Sequence, residues 1–185
     1  MCENLCEMND TGNAVCNSCH KQMPVLGLDL KYSNVLICFV FRVPITFTMA
    51  TQLKIATLNC AGMVNGIRRA TLYDVCKKLN ADIILLQDTH SITTDEPKWH
   101  NKWAPVESAF NSAKDYLHRQ SGVAILVNKT HLTLKNTKCD ENGRILSATI
   151  CQDKTAIVNI INVYAPTTSH SSQVRNDFFN SLYKY

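Results

Sequence analysis

Apolar and polar positions change rhythm several times along the chain, and each change predicts an element. Residues 53–58 alternate and are rich in branched side chains, which predicts a strand ending at the turn-like Asn59-Cys60-Ala61-Gly62. Leu72, Val75, Cys76 and Leu79 then fall at i, i+3, i+4 and i+7, the apolar stripe of a helix that leaves Arg68, Arg69, Lys77 and Lys78 for solvent or ligand. Residues 81–86 form an unbroken apolar run, as expected of a strand covered on both faces, and stop at Gln87-Asp88-Thr89-His90. Strand, helix and strand in that order predict a parallel crossover.

A less regular stretch around Trp99 and Trp103 precedes strand patterns at 122–127 and 131–135. Residues 144–151 and 155–163 are two further β-type runs, and the polar Gln152-Asp153-Lys154 between them predicts a hairpin. Residues 169–185 open on capping serines and place Val174, Phe178 and Leu182 at i, i+4 and i+8, which predicts a helix. The whole is an α/β pattern. The first 48 residues lack it: a Cys- and Asn-rich start leads into an aperiodic apolar run at 35–48. The domain is therefore expected to occupy 49–185, with 1–48 as a non-structural extension.

Composition narrows the classes. A chain of 185 residues suits one domain, and 45% hydrophobic with 18% charged residues excludes disordered, collagen-like and coiled-coil proteins. The net charge of +4 is compatible with a polyanionic partner without implying one. Residues 1–48 carry −1, so the excess lies in 49–185. Nine cysteines are an odd number, and no basic segment followed by an apolar one opens the chain, so an intracellular, reducing location is expected. The most apolar run, 35–41, is broken by Arg42 and Pro44 and falls short of the roughly 20 residues of a membrane span. No membrane partner is expected.

Cys2, Cys6, Cys16, Cys19 and His20 admit a zinc shell or, through Cys-x-x-Cys-His, a haem attachment. Against zinc stand the loose Cys2/Cys6 spacing and the terminal position, and against haem the absence of a signal peptide. An extension without zinc is the expectation.

Functional groups of open α/β sheets collect at strand ends facing a common crevice, and here those ends carry Asn59, Asp88 and Tyr164. Singly, each has a plain explanation as turn former, cap and packed ring. Together they belong to five ordered blocks: Leu58-Asn59-Cys60-Ala61-Gly62, Leu85-Leu86-Gln87-Asp88-Thr89-His90, Ser121-Gly122-Val123-Ala124-Ile125-Leu126, Asp140-Glu141-Asn142-Gly143-Arg144 and Asn162-Val163-Tyr164-Ala165-Pro166. In order and approximate spacing this text resembles the endonuclease/exonuclease/phosphatase superfamily. Within it the chain is similar to the exonuclease III and apurinic endonuclease branch, and looks closest to the endonuclease domains of non-LTR retrotransposons.

The resemblance implies a four-layered α/β sandwich with mixed sheets flanked by helices, acting on DNA phosphodiesters with Mg²⁺, for which Mn²⁺ can substitute. DNA is then the partner, no obligate protein partner is implied, and a nuclear location follows. Asp88 matches the metal-binding glutamate. Asn59 matches the asparagine that organises the carboxylates and the scissile phosphate, and Tyr164 the tyrosine whose hydroxyl approaches that phosphate. Asn162 joins them as a catalytic candidate, since two residues' separation on a strand sends both side chains to one face. Arg144 is a substrate-binding candidate through its bidentate fork, with an internal salt bridge to Asp140 as the alternative. Arg68 is a second substrate-binding candidate.

Three departures qualify the match. Asp88 is one methylene shorter than the family's glutamate. Ala61 stands where the apurinic endonucleases carry an acidic residue, which favours the retrotransposon type. The Gly-Asp-Phe-Asn and C-terminal acidic-His blocks that supply the attacking-water and general-base edge are absent from this sequence. The chain is therefore read as the N-terminal part of the domain, catalytically incomplete alone. The alternatives are a non-catalytic nucleic-acid-binding fragment or a pseudogene product.

Overall fold

The computed structural model describes residues 6–8, 14–16, 22–23, 38–45, 51–113, 121–167 and 169–185, with side chains from residue 53 onward. Short strands β1 (Cys6–Met8), β2 (Ala14–Cys16) and β3 (Gln22–Met23) pair into a small antiparallel sheet. Cys2, Cys19 and His20 lie outside the described residues, as does the boundary at Met49.

The main sheet is built on β5 (Thr51–Asn59) and β6 (Ile83–Gln87), parallel and joined by α1 (Gly66–Leu79), as the crossover pattern predicts. Antiparallel to β6 runs β8 (Val123–Val127), flanked by β7 (Glu107–Asn111). On the far side, β4 (Cys38–Ile45) pairs antiparallel along β5, so part of the stretch read as an extension covers an otherwise open strand edge. The second sheet is an antiparallel meander of β9 (Leu132–Cys139), β10 (Ile145–Gln152) and β11 (Thr155–Val163). Asp153 and Lys154 both have positive φ, 48° and 72°, the two-residue primed turn whose twist matches a hairpin.

Alternation sorts each central strand onto two cores. Ala56, Leu58, Ile84, Leu86, Ala124 and Leu126 face one side and pack with Leu72, Val75, Cys76 and Leu79 of α1. Leu53, Ile55, Ile83, Val123, Ile125 and Val127 face the other and pack with Leu146, Ala148, Ile150 and Ile160 of the second sheet. Helix, sheet and sheet therefore form successive layers. Asn65 caps α1 by accepting from Ile67 N and Arg68 N at 2.9 and 3.2 Å, and Asn80 ends the helix in a left-handed conformation.

The irregular stretch around the tryptophans resolves into α2 (Glu96–Trp103), which buries Trp99 against the α1 core, followed by β7. The tail helix is α3 (Ser172–Ser181), capped by the Ser171 hydroxyl, with Phe178 buried while Val174 and Phe179 stay exposed. It is shorter than the pattern predicts, because the last turn tightens into a 3-10 turn over Leu182–Lys184. Among the described residues no helix is long and apolar enough to cross a membrane.

Candidate active site

The ends of β5 and β6 do not fray into separate loops. Beyond the strands, Cys60 N donates to Gln87 O, Gly62 N to Asp88 O and Met63 N to Thr89 O, at 2.8, 2.8 and 2.9 Å. The second loop is tied on its other side as well: Thr89 N reaches Gly122 O at 3.0 Å and His90 N reaches Ser121 O at 2.7 Å. Gly122 N donates in turn to Gly143 O, and Tyr164 N to Arg144 O, at 2.9 and 2.8 Å. One hydrogen-bonded rim thus joins all five sequence blocks. Its tight geometry demands positive φ at Ala61, Gly62, Asp88, His90, Gly122 and Gly143. Such backbone persists only where the surroundings over-determine it, and it concentrates at functional sites.

On this rim Asp88 and Tyr164 come together. Asp88 keeps 14% of its side chain exposed and accepts a hydrogen bond at Oδ1 from His90 Nε2 at 2.9 Å. The Tyr164 phenol is held above its ordinary pKa by burial first, and then by the charge and hydrogen bonding of Asp88. Asn59 ends β5 beside Gln87, one position before Asp88, and its Oδ1 accepts from Ala61 N at 2.9 Å to shape the turn. Cys60 is buried next to it, and burial above all pushes its thiol well up, so it stays protonated and offers no thiolate to a cation.

The raised phenol has a measurable consequence. A tyrosine whose folded pKa exceeds its unfolded value of about 10 contributes stability that is complete below that value and lost as pH rises through the folded pKa. Asp88→Asn removes one cause and leaves burial. Tyr164 is therefore expected to ionise at lower pH in that variant than in the wild type, yet still later than a free tyrosine. Absorbance titration at 295 nm, with Tyr164→Phe subtracted, measures it; an unmoved curve would show that the two groups are not coupled.

Asn162 lies one level deeper and is 2% exposed. Its Nδ2 donates to Leu86 O and Ala124 O, both at 2.9 Å, and its Oδ1 accepts from Gln87 Nε2 at 2.6 Å. Gln87 also donates to Thr57 Oγ1 at 2.9 Å. Asn162 therefore pins the second sheet to β6 and β8 beneath the rim, and its amide is committed to the interior rather than to a substrate.

Arg144 does not form the salt bridge to Asp140 that is its alternative role. Its guanidinium lies 5.1 Å from the centre of the Tyr164 ring and donates to Tyr164 O at 3.1 Å. Asp140 Oδ1 instead accepts from Arg144 N, Ile145 N and Asn111 Nδ2, organising the turn. Arg68 sits on the first turn of α1, close enough to Cys60 to favour its thiolate. Arg69, counted with the solvent-facing charges, folds back: Nη1 donates to Met63 O and Val64 O, and the guanidinium lies over Trp99.

Among the described residues no three His, Cys, Asp or Glu side chains converge to cage a metal. A single carboxylate is nevertheless a sufficient protein contribution for Mg²⁺, which prefers oxygen ligands in octahedral geometry and keeps several waters. Asp88, partly open and hydrogen-bonded to His90, is the rim carboxylate that would hold such an ion. His90 is the site residue that the sequence did not disclose. It stands two positions after Asp88 in the same block, but only left-handed backbone at both residues, φ 55° and 56°, turns its ring back onto the carboxylate.

No family model matches the sequence. The structure is similar to that of an AP endonuclease from Archaeoglobus fulgidus, with 21% identity over 72% of this chain and 50% of that one, at a TM-score of 0.52. It is also similar to humanized D. rerio TDP2, with 13% identity over 71% and 55% of the two chains and a TM-score of 0.53. The AP endonuclease LMAP from Leishmania major gives 16% identity over 67% and 43%, at 0.50. The fold is the one these enzymes share. The chain spans about half the length of the solved structures it matches.

Proposed function

We propose that this chain carries the metal-binding edge of a Mg²⁺-dependent phosphodiesterase acting on DNA, of the exonuclease III and apurinic endonuclease type and derived from a non-LTR retrotransposon endonuclease. The observation that carries the reading is the meeting of Asp88 and Tyr164 on a rim whose backbone is hydrogen-bonded on both sides. In this reading 49–185 is the N-terminal part of the domain, 1–48 is an extension whose strand β4 lies along the edge of the main sheet, and the protein works in the nucleus.

Asp88 would hold the cation, which when bound neutralises phosphate oxygens and stabilises the leaving alkoxide. Tyr164, kept protonated by burial and by Asp88, would turn its one hydroxyl hydrogen from that carboxylate to a non-bridging oxygen as charge develops there. Asn59 shapes the turn that sets the phosphate's approach, Arg144 holds the Tyr164 ring in place, and Arg68 adds positive charge on the α1 side. In-line hydrolysis also needs a positioned water and a base. Without the Gly-Asp-Phe-Asn and acidic-His blocks, the 1–185 chain holds substrate and does not turn it over.

Fluorescence anisotropy with an abasic-site duplex, followed by gel analysis of the same samples, tests this. Binding is expected to tighten with Mg²⁺, to weaken with salt as phosphate contacts do, and to lose its Mg²⁺ dependence in Asp88→Ala, with no cleavage above background. Robust cleavage that Asp88→Ala abolishes would overturn the half-site. Binding indifferent to Mg²⁺ in the wild type would overturn the metal-dependent reading and favour a non-catalytic nucleic-acid-binding fragment.

A further inference from the structure

The contact between His90 and Asp88 does more than fill space. A carboxylate only accepts, so His90 Nε2 carries the hydrogen and donates it to Asp88 Oδ1 across 2.9 Å. The ring reaches that position because residue 62 is glycine: a Cβ there would lie 2.9 Å from His90 Nδ1. The backbone of this loop does not depend on the ring, since Asp88 O, Thr89 N, Thr89 O and His90 N are each hydrogen-bonded to neighbouring loops. What the imidazole adds is orientation of one carboxylate. An aspartate has two side-chain torsions, and here the His90 ring and the Tyr164 hydroxyl are the side chains that restrain them.

Resting on the metal-site reading above, we propose that His90 is a positioning residue that engages Oδ1 of Asp88, so that the carboxylate offers a cation one oxygen rather than two and the site discriminates for small octahedral ions against Ca²⁺. Mg²⁺ and Mn²⁺ take octahedral oxygen donors and fit a single carboxylate oxygen among waters. Ca²⁺ takes six to eight oxygens at about 2.3–2.6 Å and readily accepts a carboxylate through both. A hydrogen bond held on one oxygen therefore favours the first class. It also suits aspartate: the shorter side chain has less reach than glutamate, and fixing it recovers in orientation what it lacks in length. Partners that orient a ligand in this way are worth about tenfold to a hundredfold in metal affinity.

The test is Mn²⁺ titration followed by electron paramagnetic resonance, with Ca²⁺ as competitor, on the 1–185 chain and three variants whose folding is checked by circular dichroism. The wild type is expected to bind Mn²⁺ at a site that Asp88→Ala abolishes, with Ca²⁺ competing poorly. A wild type without an Asp88-dependent Mn²⁺ site would overturn the metal-site reading itself, and the positioning role with it. Given that site, His90→Ala is expected to weaken Mn²⁺ about tenfold and to let Ca²⁺ compete at a lower excess. His90→Gln, which keeps a donor at similar reach, is expected to restore wild-type discrimination. An unchanged Mn²⁺/Ca²⁺ ratio in folded His90→Ala overturns the positioning role while leaving the metal site standing. Should the alanine variant not fold, His90→Gln decides: retained discrimination supports the proposal and lost discrimination overturns it.

Discussion

Asn162→Asp is expected to lower the unfolding free energy by about 3–5 kcal/mol at neutral pH although it displaces no heavy atom. The substitution turns a donor that serves Leu86 O and Ala124 O into an oxygen facing those same oxygens, in a side chain that is 2% exposed. The bond from Gln87 Nε2 survives, so the loss is confined to the two donated bonds and the buried charge. Burial and the facing carbonyls raise the folded pKa of the new carboxyl above its unfolded value of about 3.9. The deficit is accordingly smaller near pH 4, where the protonated carboxyl restores one of the two donated bonds, and grows as pH rises toward that folded pKa. Urea denaturation at pH 4.5 and pH 7 measures both. A deficit under about 1 kcal/mol at pH 7 would mean that Asn162 does not pin the sheets together.

Gly122→Ala is expected to cost about 3 kcal/mol or more, or to prevent folding. A Cβ at this position would stand 2.3 Å from Thr89 Oγ1, 3.1 Å from Ser91 Oγ and 3.3 Å from His90 N. Thr89 and Ser91 are fully buried and their hydroxyls bond each other at 2.8 Å, continuing to Ser112 at 2.6 Å, so neither has room to yield. The backbone adds its own strain, since φ at Gly122 is 115°, a region that L side chains rarely adopt. Gly66→Ala is the matched control: a Cβ there meets only Arg69 Nη2 at 3.8 Å in the first turn of α1, and the change is expected to be neutral or to stabilise by about 0.5 kcal/mol. Thermal or urea unfolding of the pair separates a demand of this one rim position from a general intolerance of the domain. Equal stabilities would show that Gly122 is not held against Thr89.

Much of the framework is legible in the sequence because the relevant signals are local. The alternation in β5, the apolar run of β6 and the i, i+3, i+4, i+7 stripe of α1 each record which face is buried, and the structure buries those faces. The hairpin between β10 and β11 is equally local, since a two-residue turn needs only its own φ angles. By contrast, α2 has eight residues, a proline near its start and one buried side chain, so its helical period is too brief to register. β7 reads Glu-Ser-Ala-Phe-Asn, a text with little strand preference, and exists through its pairing with β8. β9 extends to Cys139 past polar Asn136, Thr137 and Lys138, where a bulge with Asn136 at φ 52° hides the alternation.

For the candidate site the division falls along the same line. The sequence by itself determined the central strands, the crossover helix and the strand ends on which Asn59, Asp88 and Tyr164 stand, because strand length and side-chain period fix where a strand stops and which way it faces. Only the tertiary structure decided what each side chain meets there. It drew Asn162 inward as a staple between sheets, laid Arg144 on the Tyr164 ring, folded Arg69 onto the α1 loop and turned His90 back to Asp88. Those outcomes depend on left-handed backbone angles and on partners up to 76 positions away in the chain, and neither leaves a periodic trace in the residues themselves.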